Sequence, residues 1–113
     1  MAAMKGRDVR AEARITVKEK ASLCMGDVWF PCVIQDMSDS GFLILCGKEL
    51  AVGQLFDIRC ELYPEKTLNC RIEVRHVGPS GIGTKVAEID GRGRSLLNLY
   101  LEEQYSLKLN SKR

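Results

Sequence analysis

Histidine, proline and long apolar runs are scarce in this sequence of 113 residues, which holds one histidine and three prolines. With a single histidine, His76, a metal centre or catalytic site built on imidazole groups has little to draw on. No stretch approaches the roughly 18 apolar residues of a membrane-spanning helix. The N-terminus also lacks an apolar core of signal-peptide length. These absences predict a cytoplasmic protein that does not insert into a membrane.

Cysteine is more frequent, but its pattern argues against the usual cysteine sites. The five cysteines are odd in number and form no CxxC pair, which is not typical of a disulfide framework or a zinc site. We expect them to be small apolar core residues in a reducing compartment. They are Cys24, Cys32, Cys46, Cys60 and Cys70.

Groups that carry catalysis are also missing from the sequence. It has no Ser-His-Asp set, no metal-ligand cluster and no P-loop motif. The sequence identifies no base that could act with the neighbouring carboxylates Asp36 and Asp39. We therefore predict that the protein is not an enzyme and carries no metal or cofactor.

Charge is nearly balanced overall but not along the chain. With 17 Lys and Arg against 15 Asp and Glu, the formal net charge is +2, which offers no support for DNA or RNA binding. The start of the chain is locally basic, and residues 1–14 show no hydrophobic periodicity. We interpret residues 1–14 as a flexible basic arm, 15–109 as one folded domain and 110–113 as a tail.

Short apolar or alternating segments predict six β-strands. The clearest are 56–62 and 68–75, where apolar and polar residues alternate strictly. Pro31 lies inside the second segment, so that strand should be at an edge or carry a bulge. Glu19 interrupts the apolar face of the first segment. The six segments are 15–23, 28–35, 42–46, 56–62, 68–75 and 82–89.

The apolar period changes after residue 94. Leu97, Leu101 and Tyr105 recur at four-residue spacing, which predicts an amphipathic helix of about three turns packed over one end of the sheet. Six short strands followed by one helix favour an all-β fold, namely a small six-stranded antiparallel β-barrel with a C-terminal α-helix.

Two short motifs stand out against this pattern. Residues 36–41 read Asp-Met-Ser-Asp-Ser-Gly between two strands, which by itself predicts a turn with a positive φ at its glycine. Upstream, Arg10 and Arg14 lie four residues apart, just before the first strand. RxxxR followed at this distance by [D/N]xSxxG resembles the PilZ domain family, bacterial receptors for the second messenger cyclic di-GMP.

The resemblance covers nearly the whole chain and includes Gly81-Ile82-Gly83 and Val74-Arg75. It implies the six-stranded PilZ barrel with its closing helix. It also implies a cyclic di-GMP site formed by Arg10, Arg14, Asp36, Ser38 and Gly41.

The chemistry of the ligand suits these residue types. Arginine donates two hydrogen bonds at once to phosphate or to a guanine edge, and its flat face stacks on a base. Under this resemblance Asp36 would accept hydrogen bonds from guanine N–H groups, and Ser38 would bind a phosphate or hold the loop. Gly41 would let the backbone turn tightly beside the ligand.

Arg7, Arg75 and His76 are further ligand candidates. Many relatives carry another arginine directly before RxxxR, where this sequence has Val9. That departure leaves open whether one nucleotide or a stacked pair binds. For Arg75 the alternative is a solvated charge on a strand, and for His76 it is a core histidine.

Two functions follow from the resemblance. In the first, the protein is a bacterial receptor whose arm becomes ordered on cyclic di-GMP and signals to a downstream protein that the sequence does not identify. In the second, it is a PilZ-like adaptor that acts by protein contact without nucleotide. The intact motifs favour the receptor, because an adaptor needs neither the two arginines nor the Asp and Ser of the turn.

Overall fold

A computed structural model describes residues 14–111, so most of the predicted arm lies outside the described residues. The described chain forms six strands and then one helix. The elements are β1 (Ile15–Met25), β2 (Val28–Met37), β3 (Gly41–Cys46), β4 (Leu55–Tyr63), β5 (Lys66–Gly78), β6 (Gly81–Glu88) and α1 (Gly91–Ser111).

The strands close into an antiparallel barrel with the order β1-β2-β3-β6-β5-β4. Closure leaves no free edge along most of the sheet, which removes the usual hazard of edge-to-edge association. Every second residue of β4 is buried, as its alternating sequence predicts. Phe42, Ile44 and Ile72 are fully buried in the centre of the core. The predicted fold class is therefore confirmed.

The strand that contains Pro31 has one side without a partner at that point. Pro31 lies opposite Ser22 of β1, whereas the ladder between β2 and β3 begins only at Cys32. A proline cannot donate a ladder hydrogen bond, so it is tolerated where a strand is paired on one side. The prediction that this strand lies at an edge or is bulged at Pro31 is wrong, since β2 pairs with both β1 and β3 and its shifts lie elsewhere; only the position of Pro31 has an unpaired side.

The acidic residue that interrupts the apolar face of β1 has a specific partner. The β1–β2 register shifts between Thr16 and Glu19, and Lys18 in this bulge has a φ of 57°. Glu19 is half-buried, and its carboxylate accepts a hydrogen bond from the Tyr100 hydroxyl of α1. A buried carboxylate needs such a donor, so Glu19 attaches the helix to the barrel.

The C-terminal helix is confirmed, but the predicted length of about three turns is wrong. α1 has 21 residues, about six turns. It begins at Gly91, because the Asp90 side chain accepts a hydrogen bond from the Gly93 N–H at 2.7 Å and so caps a first turn that is rich in glycine. Leu97 is buried against the barrel, whereas Leu107 is 59% exposed.

The far end of the helix therefore extends past the barrel and runs into the predicted tail at 110–113. The described helix is not apolar enough over a sufficient length to cross a membrane. The division of the chain into arm, domain and tail stays a prediction.

Candidate functional site

The loop between β2 and β3 is shorter than the predicted turn. Asp36 ends up within β2 and Gly41 within β3, so the connection is Ser38–Ser40. The Ser38 N–H donates to the Gly41 carbonyl at 2.9 Å, and its hydroxyl donates to the same oxygen at 3.3 Å. The Ser40 N–H in turn donates to the Ser38 hydroxyl at 3.3 Å. Ser38 is 5% exposed, so its hydroxyl holds the loop.

Two contacts from outside fix the same loop to the rest of the domain. The Val86 N–H of β6 donates to the Ser40 carbonyl at 2.8 Å. The Arg94 guanidinium of α1 donates through Nη1 to the Asp39 carbonyl at 2.5 Å. Sequence reasoning missed Arg94, because nothing in the sequence relates a helix residue to a loop 55 positions earlier.

Gly41 is required for a reason that differs from the sequence expectation. Glycines with positive φ among the described residues are Gly26, Gly53 and Gly81; Gly41 is not one of them. A Cβ atom at Gly41 would lie 2.0 Å from the carbonyl oxygen of Thr84, well inside van der Waals contact. The close neighbour is the backbone of β6, so the prediction of a positive φ at this position is wrong.

The start of β1 lies beside the β2–β3 loop. Ile15 is opposite Met37 and Thr16 is opposite Asp36, so the chain enters β1 beside the end of β2. Arg14 directly precedes this strand and is exposed, as is Thr16. The structure brings Arg14, Asp36 and the loop together at one end of the barrel.

Asp36 itself is half-buried on this outer surface. The Thr16 hydroxyl donates to its Oδ1 at 3.2 Å. A single donor occupies one of the four or so lone-pair positions of a carboxylate. Asp36 therefore keeps the capacity to accept further hydrogen bonds.

The two remaining arm candidates, Arg7 and Arg10, lie outside the described residues. The ligand roles of both residues stay predictions.

Arg75 and His76 lie farther round the barrel. On successive strands Asp36 is opposite Leu43, which is opposite Gly83, which is opposite His76. Asp36 and His76 are therefore three strand spacings, or about 14 Å, apart. The His76 ring is exposed and covers Gly78, where a Cβ atom would lie 2.7 Å from its Cε1. The alternative of a core histidine is therefore wrong. Arg75 is exposed within a bulge of β5, and the ligand role of either residue stays a prediction.

Positive charge lies beside the loop as well as before β1. Lys85 is exposed and opposite Gly41, and it shares a shallow depression with Ser40, Arg94 and Asn98. Within the described residues, no group of three or more His, Cys, Asp and Glu side chains could hold a metal ion. This end of the barrel therefore combines the cationic side chains of Lys85 and Arg94 with the carboxylate of Asp39 in the depression. The carboxylate of Asp36 lies nearby at the end of β2.

Comparison with known proteins agrees with the fold described above. A family model described as PilZ domain matches residues 8–103. The structure of the Bacillus subtilis inhibitor of motility (MotI/DgrA) aligns with a TM-score of 0.72 at 15% identity, over 88% of this chain and 51% of that one. The PilZ domain of CeSA from a cellulose-synthesizing bacterium aligns with a TM-score of 0.62 at 13% identity, over 86% of this chain and 99% of that one.

These two structures share the fold of the chain, which spans about half the length of the first. A search of the curated proteins gives no match.

Proposed function

Because this chain belongs to the PilZ domain family, we propose that it is a bacterial, non-catalytic receptor for cyclic di-GMP that works in the cytoplasm. The ligand carries two phosphodiester charges and two guanine bases. It would bind on the outer surface of the barrel, between the β2–β3 loop and the segment that precedes β1.

The single observation that supports this site most strongly is the register of β1 and β2. Ile15 opposite Met37 attaches the basic segment directly beside the loop. Had the two motifs been at opposite ends of the barrel, one compact ligand could not have contacted both. In this arrangement Arg14 directly precedes the strand end that lies beside the loop, and Arg10 would contact the same ligand.

The two arginines would make the main charged contacts with the ligand. Each guanidinium can donate two parallel hydrogen bonds to a phosphate or to guanine O6 and N7. Asp36 would accept from guanine N–H groups with the carboxylate capacity that Thr16 leaves unused. Ser38 would act indirectly by holding the loop, since its hydroxyl bonds within the loop.

The proposed output is a change of surface. With the ligand in place, residues 10–14 would be held against the barrel. The ordered arm would then present a new surface to a partner protein. Such a transition couples a small ligand to a protein contact without catalysis. The partner protein would determine which downstream process is regulated.

Titration calorimetry with cyclic di-GMP on the full chain tests the site. Micromolar binding corresponds to about −8 kcal/mol. Losing an arginine that contributes about 2 kcal/mol weakens binding roughly thirtyfold, and we expect this for Arg10→Ala and Arg14→Ala separately.

Arg59→Ala is the matched control. In the wild type the Arg59 guanidinium lies 4.0 Å from the centre of the Trp29 ring. Arg59 is the register partner of Ser22, near the other end of β1. The affinity of Arg59→Ala for cyclic di-GMP should equal that of the wild type. Unchanged affinity in both test variants would refute the site. A wild-type protein that gives no heat with the nucleotide would favour the adaptor that acts without a ligand.

A further inference from the structure

Two cysteines lie directly opposite each other in the hairpin that carries the candidate loop. Cys32 of β2 and Cys46 of β3 are register partners, and both are free thiols. Directly opposed residues on antiparallel strands project to the same face, with Cα atoms about 4.5–5.5 Å apart. A disulfide needs Cα atoms about 4.4–6.8 Å apart. The backbone therefore already has the spacing of a disulfide.

We propose that Cys32 and Cys46 form an oxidisable dithiol, which a peroxide converts into an intramolecular disulfide. The remaining cysteines lack this relationship. In the described strands Cys24 is opposite Trp29, Cys60 is opposite Leu68, and Cys70 is opposite Ile58. Only the β2–β3 ladder joins cysteine to cysteine among the described residues.

The two thiols differ in accessibility, which sets the order of reaction. Cys46 is half-buried and lines an open depression with Leu45 and Lys48. Cys32 is 6% exposed, and burial together with the charge of Cys46 raises the pKa of Cys32 to about 11. Reaction with peroxide requires an accessible thiolate, so Cys46 is the residue that is oxidised first.

The reaction balances in two steps. The Cys46 thiolate attacks one peroxide oxygen, the O–O bond breaks, and a sulfenic acid forms while the second oxygen leaves as hydroxide and becomes water. The Cys32 thiolate then attacks the Cys46 sulfur, the S–O bond breaks, and a second water forms. Two thiols and one hydrogen peroxide thus give one disulfide and two waters, with two electrons passing to the peroxide oxygens.

The disulfide would close a ring from residue 32 to residue 46 that contains Asp36 and the Ser38–Ser40 loop. It would hold β2 and β3 together at the end of their ladder, where pairing otherwise stops. A covalent link of this kind restricts the unfolded chain and the fraying of the hairpin. This inference goes beyond the proposed receptor function and does not depend on it, because it concerns thiol chemistry alone.

Peptide mapping of the purified full chain tests the dithiol. The reduced protein is treated with hydrogen peroxide, unfolded and labelled with N-ethylmaleimide. We expect two of the five cysteines to escape labelling, a single disulfide peptide that joins Cys32 to Cys46, and full labelling after treatment with dithiothreitol. Any other pairing, a link between two chains, or oxidation without a disulfide would overturn the proposal.

Three variants sharpen the result. Cys46→Ser should abolish the disulfide, and Cys32→Ala should leave a Cys46 sulfenic acid that dimedone traps. Cys24→Ser removes a half-buried cysteine that has no cysteine partner in its register, and it should keep the disulfide. Persistence of the same loss of labelling in Cys46→Ser would also refute the proposal. If a variant fails to fold, the wild-type peptide map alone decides the outcome.

Discussion

The Arg94 side chain of α1 donates a hydrogen bond to the Asp39 carbonyl oxygen, 2.5 Å away in the β2–β3 loop. This bond connects the first turns of the C-terminal helix to the candidate ligand site. A loop held from inside by Ser38 and from outside by Arg94 is arranged before any ligand arrives. Preorganisation of this kind reduces the entropic cost of binding.

Arg94→Ala should therefore weaken cyclic di-GMP binding by roughly three- to tenfold, although Arg94 is not one of the proposed ligand contacts. The Val86 N–H, which donates to the Ser40 carbonyl, should exchange its hydrogen faster in this variant, as hydrogen exchange measured by NMR would report. Arg92→Ala removes an exposed guanidinium from the same turn of α1 and serves as the control. Equal exchange rates in both variants would contradict the role given to Arg94.

Gly41→Ala should destabilise the fold strongly. The new Cβ atom would lie 2.0 Å from the Thr84 carbonyl oxygen, so β3 and β6 must separate, at a cost of about 3 kcal/mol or more. Gly47→Ala is the matched control, because nothing lies within 4 Å of a Cβ atom there, and it should change stability by less than about 0.5 kcal/mol. Urea denaturation of both variants measures the difference. Similar urea midpoints for Gly41→Ala and Gly47→Ala would contradict this prediction and would mean that β6 accommodates the methyl group.

Asp36→Ala should weaken cyclic di-GMP binding about tenfold or more while leaving the fold intact. The carboxylate lies on the outer surface and has the exposed Thr16 hydroxyl as its partner, so its loss should change the free energy of unfolding by less than about 0.5 kcal/mol. Calorimetric titration and thermal unfolding of the same sample separate the two effects. An affinity equal to that of the wild type would remove Asp36 from the site.

Tyr100→Phe should destabilise the protein by about 1–3 kcal/mol, because it leaves the half-buried Glu19 carboxylate without its hydroxyl donor. Tyr63→Phe is a milder comparison. The Tyr63 hydroxyl donates to the exposed Glu103 carboxylate at 2.5 Å, a bond that should contribute no more than about 1 kcal/mol. Urea denaturation at pH 8 compares the two variants. A larger loss of stability in Tyr63→Phe than in Tyr100→Phe would contradict the greater burial assigned to the Tyr100–Glu19 pair.

The same tyrosine predicts a loss of stability at alkaline pH. Burial, then the hydrogen bond to Glu19, raises the pKa of Tyr100 well above its ordinary value of 10.0. The folded state therefore keeps the proton longer than the unfolded state does, so stability is complete below about pH 10 and falls as the pH rises towards the folded pKa. The stability difference between wild type and Tyr100→Phe should narrow above about pH 10.

Buried thiols add to the alkaline loss of stability in both proteins. Burial raises the pKa of Cys60 from 9.0 to about 12, so its contribution to stability falls away from about pH 9 upward. Urea denaturation of both proteins at pH 8 and at pH 11 measures the difference. A difference that stays constant between the two pH values would contradict the shifted pKa of Tyr100.

The sequence by itself determined the six strands, the terminal helix and the order of the two motifs. The strict alternation in β4 and β5 reflects a sheet with one buried face, and that pattern is local. The same locality explains why the predicted helix is too short. The apolar period changes only after residue 94, whereas the Asp90 cap shows why the helix begins at Gly91.

Only the tertiary structure decided which distant residues meet. Arg94 lies on the helix and Asp39 in a loop, Tyr100 lies on the helix and Glu19 in β1, and no periodicity relates the members of either pair. The opposition of Cys32 and Cys46 likewise depends on a bulge between Ile34 and Asp36 that shifts the ladder by one residue. Local patterns predict elements because they follow from the backbone period. Contacts between elements depend on barrel closure and register, which the whole chain sets together.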